Sequence, residues 1–526
     1  MIQEIELPIR SRCFYRPLAF KQEVARNVGV QPEDVQHIEV LRKSIDGRSR
    51  FPVYRVLMRV YTTPDTYQKP FKNLKLPAVL KGKPVLVVGM GPAGLFAAYT
   101  LAMNGHKPIL LERGRDVHRR KKDVGGLCQR AELDTESNYC FGEGGAGCFS
   151  DGKLYTRSNK RGDVQHILDV LIHYGANPEI AYEAHPHIGS DMLPRVVERM
   201  RNEIVMVGGE VHYETRVEDF LLEGNRCIGV RDQNGKEYRA AAVILACGHS
   251  AEDIYEWFYT RGYAIEGKDW AMGVRLEHPQ EVIDMMQYRQ RAADWELPPA
   301  EYGFSAQVNG RGVFSFCMCP GGMIIPSMTH PSRFLVNGMS GSRRASPWAN
   351  AGIIVTVRQS DAAAYAAEYG PLAGLKFQQA LEEKFSALDP AMAPAQRMVD
   401  FLKGRESANL PSTSYPLGVY PALLNDILPS FIADSLQAGL SEFCAKRPAF
   451  YTEEAVMVGL ESRTSSTVVL PRNPETMEHV QIKNLYPCGE GAGYAGGITS
   501  SAIDGVNCAN KLLWNLKREI ALSLNI

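Results

Sequence analysis

Val85-Leu86-Val87-Val88-Gly89-Met90-Gly91-Pro92-Ala93-Gly94-Leu95 decides how this chain is read. An apolar, β-like run leads straight into G-x-G-x-x-G and then into a helix-like run. Residues 84–103 carry no charged side chain, so hydropathy alone would suggest a membrane span. The glycines point elsewhere. In a strand–turn–helix unit, Gly89 allows the tight turn and Gly91 lets the backbone approach a pyrophosphate. Gly94 lets the helix pack against its strand, with Pro92 and Ala93 at the helix start, where unpaired N–H groups would receive phosphate. The spacing alone is weak evidence, because glycines cluster in turns. Here a second strand, Lys107-Pro108-Ile109-Leu110-Leu111, ends at Glu112, where a carboxylate would accept hydrogen bonds from a ribose diol. The pattern predicts a dinucleotide site that includes Glu112 and the adjoining Arg113, and no membrane association. Glu112 would repel a 2′-phosphate, so NADP is not expected there.

At 526 residues, two or three domains are expected. Apolar content of 45% and charged content of 22% are those of a soluble globular protein. Lys+Arg and Asp+Glu both number 59, so the whole chain announces no polyanionic partner. Residues 1–80 lean basic, with 14 Lys/Arg against 8 Asp/Glu. The eleven cysteines are scattered, with no C-x-x-C pair, which fits a reducing cytosol better than a disulfide framework or a zinc site. Acids in Met1-Ile2-Gln3-Glu4-Ile5-Glu6 stand where a signal peptide would be cationic, so a cytoplasmic protein is expected.

Residues 1–75 read as a small α+β module, with a helix over Ala19–Val28 and strands over Val35–Val40 and Val53–Tyr61. The link Leu41–Arg50 is basic and turn-rich. Its cations either touch RNA or sit solvated on a docking module, and no aromatic stacking platform is evident. The Pro-containing stretch 62–82 reads as a linker. The run Arg113–Lys122 either holds phosphates or forms a solvated helix face.

Phe141–Leu154 contains too little apolar bulk for a core and too many glycines for a regular element. It offers backbone N–H groups and close approach, and Gly144, Gly145, Ser150, Gly152, Lys153 and Leu154 are expected at the cofactor. Helical periodicity covers 163–175 and 191–207. Between them, His187 is a candidate proton carrier beside the plainer reading of a structural histidine. Val217 lies in a strand that leads into a meander around Gln233-Asn234-Gly235. Ala242–Gly248 then reads as a buried parallel strand whose end, Ala246 to Gly248, meets a ligand.

From about 262 to 445 the nucleotide signals stop, which suggests an inserted substrate or cap domain. Its dense stretches are Val274–Pro279, Phe316–Gly322 and Asn337–Arg344. Cys317 and Cys319 could form a redox or nucleophilic thiol, or simply share one face of a strand. Arg275 and His278 are further candidate helpers. No metal site is expected. Asn484–Ala502 is a second strand, Gly-rich loop and helix, with Gly489, Glu490, Gly497 and Ile498 facing the ligand. Two such units almost 400 residues apart favour extended FAD over NAD, because FAD must be held at both ends.

The fingerprint with Glu112, the strand ending Ala246-Cys247-Gly248 and the loop at Gly489-Glu490 together resemble the FAD-binding superfamily with a glutathione-reductase-like FAD domain. That superfamily usually carries Asp where Glu490 stands. More closely, the chain is similar to a family of uncharacterised FAD-dependent dehydrogenases. That likeness rests on Lys43-Ser44-Ile45-Asp46, Gly142–Gly147, Ser150–Leu154, Pro186–Gly189, Cys317–Gly322 and Glu461-Ser462-Arg463-Thr464-Ser465-Ser466. It implies an α/β fold with a Rossmann-like, doubly wound, discontinuous FAD-binding domain over 80–262 and 446–526. An inserted α+β domain would occupy 263–445 and a small N-terminal α+β domain 1–75. The resemblance implies non-covalent FAD and an oxidoreductase moving two electrons at flavin N5 to or from a small-molecule substrate, with external NAD(P)H or another reductant. The alternatives are an RNA-modifying flavoprotein, suggested by distant tRNA-modifying relatives, and a flavin-bound sensor without turnover.

Overall fold

The computed structural model describes residues 2–48, 51–64, 67, 74–78, 82–156, 161–389 and 391–523. Of the expected linker, positions 65–66, 68–73 and 79–81 lie outside the described residues, as do positions 49–50 of the basic link.

The opening stretch forms strand Gly82–Val88 at the centre of a five-stranded sheet. Its neighbours are Val243–Leu245 and His106–Leu111, flanked in turn by Leu485–Pro487 and Glu210–His212, and every pairing is parallel. The strand that precedes the second Gly-rich loop therefore lies in the same sheet as the fingerprint. A parallel sheet buried on both faces selects continuous apolar runs, and Val85, Leu86 and Val87 are fully buried. Helix Pro92–Met103 begins with Pro in its first turn and has ten of twelve residues buried. It lies between the sheet and helix Ile498–Ser523, and a Cβ on Gly505 would run into the Ala93 carbonyl. A helix apolar on every side is a core helix or a span, and packing on two sides makes this one a core helix. Among the described residues no helix is long and apolar enough to cross a membrane.

A seven-stranded sheet runs in the order 305–308, 311–319, 348–357, 270–279, 456–461, 393–397 and 419–421. It is antiparallel except where Ala393–Arg397 meets Val419–Pro421. Helix Ser430–Lys446 packs on it. Strand Val456–Glu461, which falls beyond the expected insert boundary at 445, belongs to this sheet and pairs with Trp270–Pro279 and Ala393–Arg397. All six of its residues are buried. A continuous apolar run reads alike in either sheet, so only pairing settles which one it joins. Strands Val217–Glu223, Arg226–Asp232 and Glu237–Arg239 form the expected meander.

The N-terminal sheet is antiparallel, in the order 2–9, 53–61, 37–46, with helix Pro17–Val28 beside it. Strand Ile2–Ile9 was not anticipated, because it lies at a mostly exposed edge and carries Glu4 and Glu6 among its apolar residues. The basic edge is largely paired. Arg42 and Arg55 face Glu6, Arg59 faces Glu4 and Glu39, and Arg48 faces Asp46. Lys43 is buried at the seam with the rest of the molecule, where its N–H donates to the Tyr182 carbonyl at 2.7 Å and its carbonyl accepts from Ala184 at 2.9 Å. Its ammonium lies 2.8 Å from Glu183 and 3.2 Å from Glu179, over the rings of Phe14, Tyr15 and Tyr54. These acids outweigh the desolvation of the ammonium, so Lys43 stays charged.

Candidate functional site

The C-terminal ends of the parallel strands open into one cleft of about 1550 Å³, its mouth included. Gly89, Gly91, Pro92, Ala93, Glu112, Arg113, Gly145, Ser150, Gly152, Lys153, Val217, Ala246, Gly248, Glu490, Gly497 and Ile498 all line it. So do Cys317 and Cys319, which reach it from the antiparallel sheet. Residues spread over 400 positions meet because ligands of parallel sheets sit at the carboxyl ends of their strands. Gly94, Gly144, Leu154 and Gly489 do not line the cleft; they pack behind it. A Cβ on Gly94 would strike the Gly89 carbonyl, one on Gly144 would lie 2.6 Å from Cys148 Sγ, and one on Gly489 would lie 2.8 Å from Ala93 Cβ. Leu154 is a core side chain whose carbonyl accepts from Thr499 Oγ1 at 2.7 Å.

Glu112 is buried and already holds three backbone donors: Met90 at 2.8 Å, Gly114 at 2.9 Å and Gly142 at 3.0 Å. Its carboxylate thus clips the first glycine turn to the second loop, leaving about one of its roughly four acceptor sites for a ligand. Arg113 stacks on Phe141 at 4.0 Å and pairs with Glu136 and Asp253, which fixes it at the rim.

The second glycine loop is shaped by a residue the sequence reading left ambiguous. Arg120, fully buried, donates to the carbonyls of Asn138, Tyr139, Gly142 and Glu143 at 2.7–3.1 Å. It is neither a phosphate ligand nor solvated. The signal was present: Val117, Arg120, Val124 and Leu127 share the buried face of helix Val117–Arg130. Its neighbour Glu143 accepts from the Val117 N–H at 2.9 Å and from Arg201 at 3.0 Å.

At the other end, Asp504 accepts from the Gly489 N–H at 2.7 Å and pairs with Arg472 at 2.6 Å, so the helix anchors the loop that precedes it. Tyr255 donates to the Gly491 carbonyl at 2.7 Å. The first residues of helix Ile498–Ser523 line the cleft, as do those of helix Pro92–Met103, which puts two helix starts, with the N–H groups that a first turn leaves unpaired, beside the same space. Glu490 lies 3.7 Å from His249 on the cleft wall.

The antiparallel sheet supplies another wall through Phe316, Cys317 and Cys319, joined by Asn337 and Gly338 of a separate two-stranded sheet, Met323–Pro326 with Val336–Met339. Arg275 stands behind it, wholly buried, paired with Glu461 at 3.0 Å and donating to Asn350 and to the Cys317 carbonyl. Lys153 crosses the cleft and donates to the Met318 carbonyl between the two cysteines. Desolvation deep in the cleft pushes the Cys317 thiol up to about 12 although its side chain is open to the cleft, and burial raises that of Cys319, both against the pull of nearby Lys153 and Arg275. Arg463, also on the wall, is held by Glu382 at 2.8 Å and Glu252 at 3.0 Å. That buried network ties helix Glu252–Thr260 of the parallel-sheet layer to helix Ala373–Ser386, and no sequence spacing announces it.

His187 does not line the cleft. It bridges Lys153 through backbone pairing, and its ring contacts the Ser342 carbonyl at 3.3 Å. Burial and the Arg344 cation lower its pKa, so it is neutral at pH 7. His278 is also away from the cleft, sealed against the Phe450 carbonyl at 3.2 Å. The fold brings neither histidine to the cleft, because a histidine's burial is set by packing rather than by its neighbours in the chain.

The residues fit an extended dinucleotide. Glycines crowd backbone against backbone where a Cβ would intrude, and two helix starts face the same space. Thr464 Oγ1, buried on the wall, has no protein partner among the described residues.

The family described as "FAD-dependent protein, C-terminal domain-like" matches residues 269–464, which contain every strand of the antiparallel sheet. A domain of unknown function matches residues 1–61. An uncharacterized protein of Clostridium beijerinckii is 36% identical over 515 residues, covering 94% of this chain and 95% of that protein. Protein FixC of Azotobacter vinelandii is 30% identical over 205 residues, 38% of this chain and 44% of that protein. Among solved structures, FqzB is similar over 84% of this chain and 80% of its own, at 15% identity and a TM-score of 0.38. The chain belongs to the same family as the Clostridium protein, a family of FAD-dependent proteins, and FAD is its cofactor.

Proposed function

We propose that the protein is an FAD-dependent oxidoreductase that moves a hydride between flavin N5 and a small-molecule substrate. The observation that carries this is the single cleft, in which both Gly-rich strand–loop–helix units face the wall bearing Cys317 and Cys319. In this reading the parallel-sheet layer, from about 80 to 262 and again after the antiparallel sheet, is one discontinuous FAD-binding domain. Gly89–Ala93 holds the pyrophosphate, Glu112 and Arg113 the adenosine end, and the 145–153 loop the middle. Glu490, Gly497 and Ile498 hold the ribityl–flavin end.

Bound FAD supplies the two-electron chemistry, and the protein supplies position and electrostatics. The helix start at Ile498 favours the negative charge that a reduced flavin carries. The wall from Phe316 to Cys319 closes the cleft against water, and Lys153 holds that wall to the FAD side. The reductant, NAD(P)H or another donor, enters from outside, since the antiparallel sheet carries no second fingerprint.

The test begins with a visible spectrum and identification of the released cofactor. Anaerobic titration with NADH, NADPH and a panel of small metabolites follows. A yellow protein bleached by one of these classes supports the proposal. Bound FAD that bleaches with dithionite but with none of them overturns turnover and leaves a sensor.

A further inference from the structure

Strand Arg311–Cys319 slips against Trp348–Val357 between Phe316 and Cys319. Phe316 pairs with Gly352 and Cys319 with Asn350, so the first strand holds one extra residue, and Cys317 takes φ +42°. In a regular strand the two cysteines would share a face with Cα atoms about 6.6 Å apart, the upper end of what a disulfide spans. Here Cys319 Sγ turns back to within 3.4 Å of the Cys317 carbonyl. Cys317 is open to the cleft, and Cys319 is buried behind it. The buried Arg275 guanidinium lies 2.8 Å from the Cys317 carbonyl and 3.6 Å from Cys319 Sγ. Lys153 sits on the other side, bound at Met318. Inert structural cysteines are packed in apolar surroundings, whereas reactive ones are accessible and flanked by cations. Burial keeps both thiols protonated at rest, but one sulfur is open to a redox cofactor's cleft, and Arg275 and Lys153 lie beside the pair, where they favour its thiolate.

We infer that Cys317 and Cys319 form a dithiol/disulfide couple that relays two electrons between FAD and a small disulfide or thiol substrate. The inference rests on the proposed function, since it needs FAD in the same cleft. Oxidation forms the Cys317–Cys319 S–S bond and releases two electrons and two protons, which oxidised FAD accepts. In reverse, two electrons and two protons from reduced FAD return both thiols. On the substrate side, Cys317 attacks one sulfur of an external disulfide and expels the other half as a thiol. Cys319 then attacks the Cys317 sulfur, closes the S–S bond and expels the second half.

Two measurements decide it. In the first, FAD-loaded protein is oxidised with diamide, freed of reagent, and titrated anaerobically with dithionite. Wild type is expected to take up four electrons per FAD, and Cys317→Ser and Cys319→Ser two. In the second, peptide mass spectrometry follows diamide treatment of protein stripped of FAD. The peptide holding residues 317–319 should lose two hydrogens. Uptake of only two electrons by wild type overturns the relay. Four electrons persisting in Cys317→Ser also overturns it, and moves the couple to another pair, such as buried Cys488 and Cys508. A yellow protein without the bridge overturns the relay and leaves the proposed function standing. A protein that cannot be loaded with FAD overturns the proposed function, and the relay with it, even where the bridge forms.

Discussion

A Cβ placed on Gly145 would sit 2.9 Å from the Cα of Gly91, so the two cofactor loops touch backbone to backbone. Gly145 has φ +65° and ψ −171°, a region that essentially only glycine occupies. Gly145→Ala therefore meets strain and a clash together. FAD affinity should fall at least tenfold, about 1.4 kcal/mol, read by ultrafiltration and flavin absorbance of the filtrate. Unchanged retention would separate this contact from the cofactor site.

Arg120 is the only side chain that donates to the carbonyls of both Asn138 and Tyr139 among the described residues. Arg120→Met keeps bulk and removes every donor, leaving four buried carbonyls to find other partners. We expect a loss on the order of 3 kcal/mol in urea unfolding, with FAD released early in the transition. Arg120→Lys should fall between, since a point charge cannot reach all four oxygens.

Lys43 fastens the N-terminal sheet to Glu179 and Glu183. Lys43→Met strands two partly buried carboxylates at that seam. Breaking a fully buried pair costs about 3–5 kcal/mol, and with both acids about a third exposed the loss here is expected to be smaller. Limited proteolysis should then separate the N-terminal sheet from the rest faster than in wild type, with the flavin spectrum retained. A change of spectrum without faster cleavage would contradict a docking role.

Glu277 and His278 are neighbours in one strand with opposite pH signs. Burial pushes Glu277 up to about 7 despite two hydrogen bonds from Ser414, and pushes His278 down to about 4. Between pH 4.5 and about 7 the folded chain binds more proton at Glu277 than the unfolded chain, so that contribution to stability is lost as pH rises. Between about 4 and 6.5 the unfolded chain binds more proton at His278, so that contribution is lost as pH falls. Each is on the order of 3 kcal/mol at most, and in the overlap they offset. Glu277→Gln should leave stability climbing with pH from 4.5 to 6.5, and His278→Gln should leave it falling. Urea midpoints across that range measure both slopes.

The fingerprint at Gly89–Gly94, the strand ending at Glu112 and the second unit at Leu485–Ile498 were legible in the chain, because parallel strands buried on both faces leave continuous apolar runs and phosphate turns demand glycine. Those local requirements fix residue type position by position. The meander over 217–239 was legible for a similar reason, as its turn residues allow little else. Arg120 was harder to read: its charge suggested solvent, and only its place on a buried stripe suggested otherwise. The allegiance of Val456–Glu461, the seam at Lys43 and the network of Arg463 with Glu252 and Glu382 were decided by tertiary structure alone. Each depends on which surfaces meet across hundreds of residues, and pairing across such separations leaves no period in the sequence. The same holds at the cleft. The chain announced the glycine turn proposed to hold the ADP half of FAD, because such a turn is set by local backbone geometry. The sequence offered Lys153 at the cofactor and Cys317 and Cys319 as thiols, but only the fold joins them in one cleft, because those side chains come from separate layers that packing brings together.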